Sequence, residues 1–154
     1  MKIFNKIFFV LFIVISIIGC QTKKSKPSSE LLSIDLLRGD IALCGNPEFG
    51  ELSFSLSCEI SSRETFDLAV SLLHSFEYAE AEKAFVKVID ADPNCAMAYW
   101  GVAMSLYHSL WAPPGTSELE KGYNLLQIAE PLPKSKRSSA YLDASMHSII
   151  IGKQ

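Results

Sequence analysis

A six-residue string recurs 34 positions further along this chain. Ser71-Leu72-Leu73-His74-Ser75-Phe76 reappears as Ser105-Leu106-Tyr107-His108-Ser109-Leu110, and Leu68 and Ala69 align with Val102 and Ala103. A fixed period near 34 residues marks stacked helix–turn–helix units, each too small to bury its own apolar face and therefore dependent on its neighbours. The expected fold is all-α. Stacked units present extended surfaces for binding, so a scaffold without catalysis is expected rather than an enzyme. The echo also puts a histidine at the same place in both units.

The apolar spacing extends this pattern from Ser61 onward. Ser61 and Glu64 have the spacing of a capping box. Phe66, Leu68, Ala69, Leu72, Leu73 and Phe76 then form a helical stripe, and Glu77–Glu80 reads as a turn. A second helix is expected over about Ala79–Asp90, burying Ala81, Ala84, Phe85, Val88 and Ile89, until Pro93 disfavours helix at Asp92. A third runs over about Cys95–Leu110 and is apolar nearly all round, so it should be buried. Trp111–Gly115 reads as a stiff loop, Ser117 and Glu120 as the cap of a fourth helix reaching Ala129, and Ser135 as the start of a fifth running towards Ile151. Upstream, Glu30–Leu37 suits a helical turn or two and Cys44–Gly50 a loop. In Glu51–Ser57, Leu52, Phe54 and Leu56 alternate with serines. That period of two fits an extended segment, and without a partner strand it should pack against the helices.

The first 19 residues bear on location. A basic start (Lys2, Lys6) precedes an apolar run from Ile7 to Ile18, which is shorter than a membrane span requires and suits a cleaved leader. Ile17-Ile18-Gly19-Cys20 resembles the bacterial lipobox, implying a lipid on Cys20 and attachment to a membrane of the cell envelope; Gln21 favours the outer membrane. An uncleaved anchor with a chance cysteine is the alternative. Residues 20–40 then read as a tether, 41–60 as a loop and extended segment, and 61–154 as helical repeats. Loss of Lys2 and Lys6 leaves 12 basic residues against 17 acidic ones, a formal charge of −5. Lys23, Lys24 and Lys26 belong to the tether, so the remainder is more acidic still and lacks the basic face that nucleic acid demands.

Three cysteines remain. Cys58 precedes the first helix of one unit and Cys95 the first helix of the next, and equivalent helices stack side by side. A Cys58–Cys95 disulfide is therefore expected in an oxidising compartment. Cys44 with Cys58, or buried free thiols, are the alternatives.

These features resemble the tetratricopeptide repeat family. With one repeat over Ser62–Cys95, the family's small residues fall on Ala69 and Ala81, its aromatic on Phe85, a usually small position on Val88 and its closing proline on Pro93. A second repeat begins at Ala96, with Tyr99, Val102, Ala103 and Leu106 in the matching places. The Trp111–Thr116 loop then inserts about seven residues relative to the 34-residue period, so Gly122, Leu126 and Ala129 arrive late. A third repeat would start near Ser138 with Ala144 as its small residue. More narrowly, LLHSFEY (Leu72–Tyr78) followed by DPNCAMAYWGVAM (Asp92–Met104) resembles bacterial lipoproteins that carry such repeats. Because the final helix ends on Met146, Ile149, Ile150 and Ile151, further repeats of a longer protein, a second copy or a partner is expected to cover it.

The resemblance implies that the first helices line a groove. Counted from each repeat's start, the groove positions are Arg63, Phe66, Val70, Leu73 and His74, then Met97, Trp100, Met104, Tyr107 and His108. This apolar and aromatic set lacks the Lys and Asn cluster with which some relatives clamp a carboxylate. It suits a peptide or helix of a protein partner, unless Met97, Trp100 and Met104 are core beneath another segment. His74 and His108 lie one unit apart and offer two imidazoles, short of the three or four ligands of a zinc site and outside any HExxH or CxxCH context. Asp90–Asn94 lacks the glycine and distal glutamate of a calcium loop. With no GxSxG elbow and no glycine-rich phosphate loop, no catalytic residue, metal or cofactor is expected. The alternative is a piece of an envelope enzyme or metal protein whose chemistry lies elsewhere in the protein or at the His74/His108 pair. Metabolic labelling with a palmitate analogue tests the anchor: label and membrane fractionation should both be lost in Cys20→Ala, and their persistence would contradict the lipobox.

Overall fold

The structure, a computed structural model, describes residues 26–43, 49–50, 52, 54, 56–108 and 112–153. The expected leader, Cys20 with the start of the tether, Cys44, and Ser109–Trp111 lie outside the described residues. The described chain is all-α: α1 (Ser29–Leu32), α2 (Arg63–His74), α3 (Tyr78–Ala91), α4 (Ala96–Tyr107), α5 (Thr116–Ala129) and α6 (Lys136–Gly152), with a 3₁₀ turn at Ile60–Ser62 leading into α2. No strand occurs among the described residues, and no described helix is long and apolar enough to cross a membrane.

Each helix from α2 to α6 packs on the next, and α2 also touches α4, which touches α6. The middle helix, α4, is enclosed by all four others, and ten of its twelve residues are buried. That is the burial expected of a helix apolar on every side. Helices α3 and α4 approach closely at Gly101. A Cβ there would stand 2.3 Å from Cε1 of Phe85, whose ring meets Phe66 of α2 edge-on at 5.5 Å.

Helix ends differ from the sequence expectation in instructive ways. Ser61 and Glu64 make no capping box. Ser61 and Ser62 wind into the 3₁₀ turn, Ser62 takes the N-cap position with a helical backbone (φ −91°), and no side chain caps the helix. A cap needs an extended backbone at that position, so the buried Ser62 hydroxyl is left without a hydrogen-bond partner. At α5 the N-cap is Gly115 rather than a serine, and Glu118 reaches back to accept the Gly115 N–H at 2.7 Å. Between α2 and α3, Phe76 adopts φ +64°. The Phe76 N–H donates to Leu73 O and the Glu77 N–H to Leu72 O, which is the left-handed helix ending usually given to glycine.

Two stretches upstream of α2 pack on the bundle. The first covers much of the expected tether: Leu31 and Leu36 are buried, with Ile34 and Ile41 half-buried against the core. Leu37 and Ala42 donate their N–H groups to Glu82 (2.9 Å) and Glu80 (2.8 Å) of α3. Arg38 pairs with Asp90, and Lys121 of α5 donates to Asp35 O. Helix α3 therefore buries Val86 and Glu82 as well as its expected stripe. Burial pushes the Glu82 carboxyl up, and the Leu37 N–H partly offsets this. The second stretch is the alternating segment. Leu52, Phe54 and Leu56 are half-buried and pack against the helices, and the segment ends at a disulfide between Cys58 and Cys95, Cα–Cα 4.8 Å. Beside that bond, the buried Asp92 carboxylate accepts the N–H groups of Glu59 (2.9 Å) and Asn94 (3.1 Å).

In α6, Ala144 is exposed, and Ser145 is the small residue turned inward, accepting from Trp100 Nε1 at 2.9 Å. Ile149 is buried beside Gly122, whereas Ile150 and Ile151 are exposed. The Gly101–Phe85 contact generates a prediction. Gly101→Ala should lower stability by about 1–3 kcal/mol, the usual cost of overpacking, read as an earlier urea midpoint at unchanged slope.

Candidate partner groove

The ten expected groove positions separate into three sets. Phe66, Val70 and Met97 are buried at 0%, 3% and 1% exposure and belong to the core. Arg63 pairs with Asp67 four residues on (2.8 Å) and borders a small cleft with Leu56, Cys58, Glu59 and Ile60. Leu73, His74, Trp100, Met104, Tyr107 and His108 come together around one open cavity of about 230 Å³, joined by Tyr78. Tyr78 was absent from the expectation because it opens α3, and groove positions were counted on first helices alone. Its ring centroid lies 5.7 Å from that of His108.

Phe54, from the segment that precedes α2, covers Phe66 of the first set. Phe54 contacts three helices: Phe66 of α2 at 5.9 Å, Trp100 of α4 at 6.4 Å and nearly parallel (18°), and Tyr141 of α6 at 5.5 Å. Tyr141 also meets Trp100 edge-on at 5.4 Å. Such ring pairs each add about 0.5–1.5 kcal/mol beyond the apolar area they bury. Trp100 is consequently 9% exposed: Phe54 stacks on its ring, Ser145 holds its N–H, and it still borders the cavity. The groove face is thus already partly occupied by the chain itself.

His108 follows α4 with an unusual backbone (φ 12°, ψ 61°). Its Nε2 lies 3.0 Å from Glu118 Oε1 and its Nδ1 lies 3.2 Å from Ala112 O. Both neighbours accept, so these contacts favour protons on the ring nitrogens. The Glu118 hydrogen bond raises the His108 pKa above its ordinary value, against a smaller opposing effect of burial. The same bond, helped by the Gly115 N–H, lowers that of Glu118. Glu118 therefore joins the end of α4 to the start of α5. Both ring nitrogens of His108 are thus engaged by protein neighbours. The one His, Cys, Asp and Glu cluster close enough for a cation among the described residues is Cys58, Asp92 and Cys95, where the disulfide occupies both sulfurs.

Other perturbed groups lie away from the cavity. Tyr99 is pushed up to about 12, mainly by burial, and donates its hydroxyl proton to Pro93 O at 3.0 Å. A second cleft, about 510 Å³ between α1 and α5, is lined by Glu30, Ser33, Ile34, Asn124, Gln127 and Ile128. Ser33 there donates its hydroxyl to the backbone carbonyl of Glu30, not to its carboxylate.

Comparison with protein-family models, with curated proteins and with solved structures finds no match to this chain.

The His108–Glu118 pair sets a pH dependence. A raised imidazole contributes fully below its ordinary value of 6.5 and loses that contribution as pH climbs through the raised value. A lowered carboxyl contributes above its ordinary value of 4.5 and loses that contribution as pH falls through the lowered one. The link is strongest between the two. Protection of the Gly115 amide from hydrogen exchange should fall about twofold between pH 6 and pH 8 after correction for the intrinsic rate, the size expected of a largely solvated pair. His108→Gln should remove that slope.

Proposed function

We propose that this chain is a membrane-tethered scaffold of the tetratricopeptide type, anchored in the bacterial cell envelope through lipid on Cys20. It binds a segment of a protein partner on the apolar and aromatic face shared by α2, α4 and α6, without turnover. The observation that carries the reading is the seat of Phe54 on Phe66, Trp100 and Tyr141. This face receives an extended apolar chain, and the cavity beside Trp100 continues it with Leu73, Met104 and Tyr107 in reach of solvent. The 34-residue echo supports the repeat assignment, because it puts equivalent residues of α2 and α4 on one face. Acidic composition supports a protein partner over nucleic acid.

Photo-crosslinking in intact cells tests the proposal. A benzophenone side chain at position 107 should yield a discrete adduct that the same group at the exposed Glu120 does not. Met104→Glu should reduce that adduct at least tenfold, a loss of about 1.4 kcal/mol. Equal crosslinking from both positions, or none from either, would overturn it.

A further inference from the structure

The cavity beside Trp100 is small, and its walls are specific. At about 230 Å³ it falls below the ~300–1,000 Å³ of pockets that enclose whole small molecules, so it is sized for part of a ligand. Tyr78, Trp100 and Tyr107 supply rings, Met104 a polarizable thioether and Leu73 an aliphatic wall. Rings and thioether both favour an aromatic guest. No carboxylate lines the cavity to pair with a cationic guest.

Trp100, one wall of the cavity, already holds an aromatic side chain. Trp100 stacks on Phe54 and also borders the cavity, so the two sites are adjacent along one groove. Phe54 arrives on a non-helical segment whose neighbours Leu52 and Leu56 also pack on the core. That mode differs from a helix laid in a groove, which presents anchors at i, i+3/i+4 and i+7 to an uninterrupted apolar channel. Here Phe54 already stacks on Trp100, and the open volume of about 230 Å³ is small for a helix face.

We infer that the cavity formed by Leu73, Tyr78, Trp100, Met104 and Tyr107 is a subsite for one neutral aromatic side chain, presented by an extended segment of a protein partner in the manner of Phe54. This rests on the scaffold reading above and narrows it. The partner segment is extended rather than helical, and its anchor is phenylalanine, tyrosine or tryptophan rather than a charged residue.

Selection of a random heptapeptide phage library on the full chain in detergent micelles tests the inference. Counter-selection uses Met104→Glu, and Tyr107→Ala serves as a second variant; circular dichroism melts must first show that both fold. Enriched peptides should share one aromatic residue without apolar i, i+4 spacing, and its replacement by alanine should weaken binding at least tenfold. Each variant should lose the same peptides. Enrichment of helical or cationic patterns, equal retention by both variants, or no enrichment at all would overturn the inference. The crosslink from position 107 reads the scaffold proposal separately, so a partner captured there without an aromatic-anchored peptide would remove the subsite alone.

Discussion

Phe54, seated against Phe66, Trp100 and Tyr141, ties the described architecture together. One side chain from a segment without regular structure contacts α2, α4 and α6. The segment needs this anchor because, among the described residues, it belongs to no strand. Its far end is held covalently by Cys58–Cys95 across a sequence separation of 37 residues, a closure worth about 4 kcal/mol in the chain-entropy account. Asp92 adds two backbone hydrogen bonds beside it. Rings at one end and a covalent bond at the other hold the segment on the groove face.

A consequence is that both sides of the helix stack are dressed by chain from upstream. Residues 28–43 lie along α3 and α5, where Glu80 and Glu82 satisfy backbone N–H groups that a loop would otherwise give to water. Burying Glu82 costs desolvation, seen in its raised pKa, and the hydrogen bond from Leu37 offsets part of that cost. The groove face is dressed by Phe54, with Leu52 and Leu56 also packed on the core. The cavity beside Trp100 stays open, and the Glu118–His108 link lies at its edge. Binding is therefore proposed where the chain's own coverage stops.

Much of this was readable in advance because the helices obey simple spacing. The 3.6-residue stripes of α2 and α3, the all-round apolar α4, and the prolines after α3 and α5 placed five helices within a few residues of their observed ends. Caps were less readable. Ser61 with Glu64 has the right letters, but a cap depends on the backbone angle of a single residue, and the preceding chain enters α2 as a 3₁₀ turn. The packing of residues 28–43 was hidden because Leu31, Ile34 and Leu36 follow no period and their hydrogen-bond acceptors lie on a helix far along the sequence. In the groove, Leu73, Met104, Tyr107 and both histidines could be counted from the period. Met97 is core, the alternative that the sequence offered for it, whereas nothing in the sequence marked Phe66 and Val70 as core, and Tyr78 comes from the second helix of its unit.

The most direct test of this account is a two-dimensional nuclear Overhauser spectrum of the full chain in detergent micelles, with selectively protonated aromatic rings. The account predicts cross-peaks from the Phe54 ring protons to the rings of Phe66, Trp100 and Tyr141, whose centroids lie within 5.5–6.4 Å. A Phe54 ring that shows none of these contacts, with Trp100 and Tyr141 still in contact with each other, would contradict it.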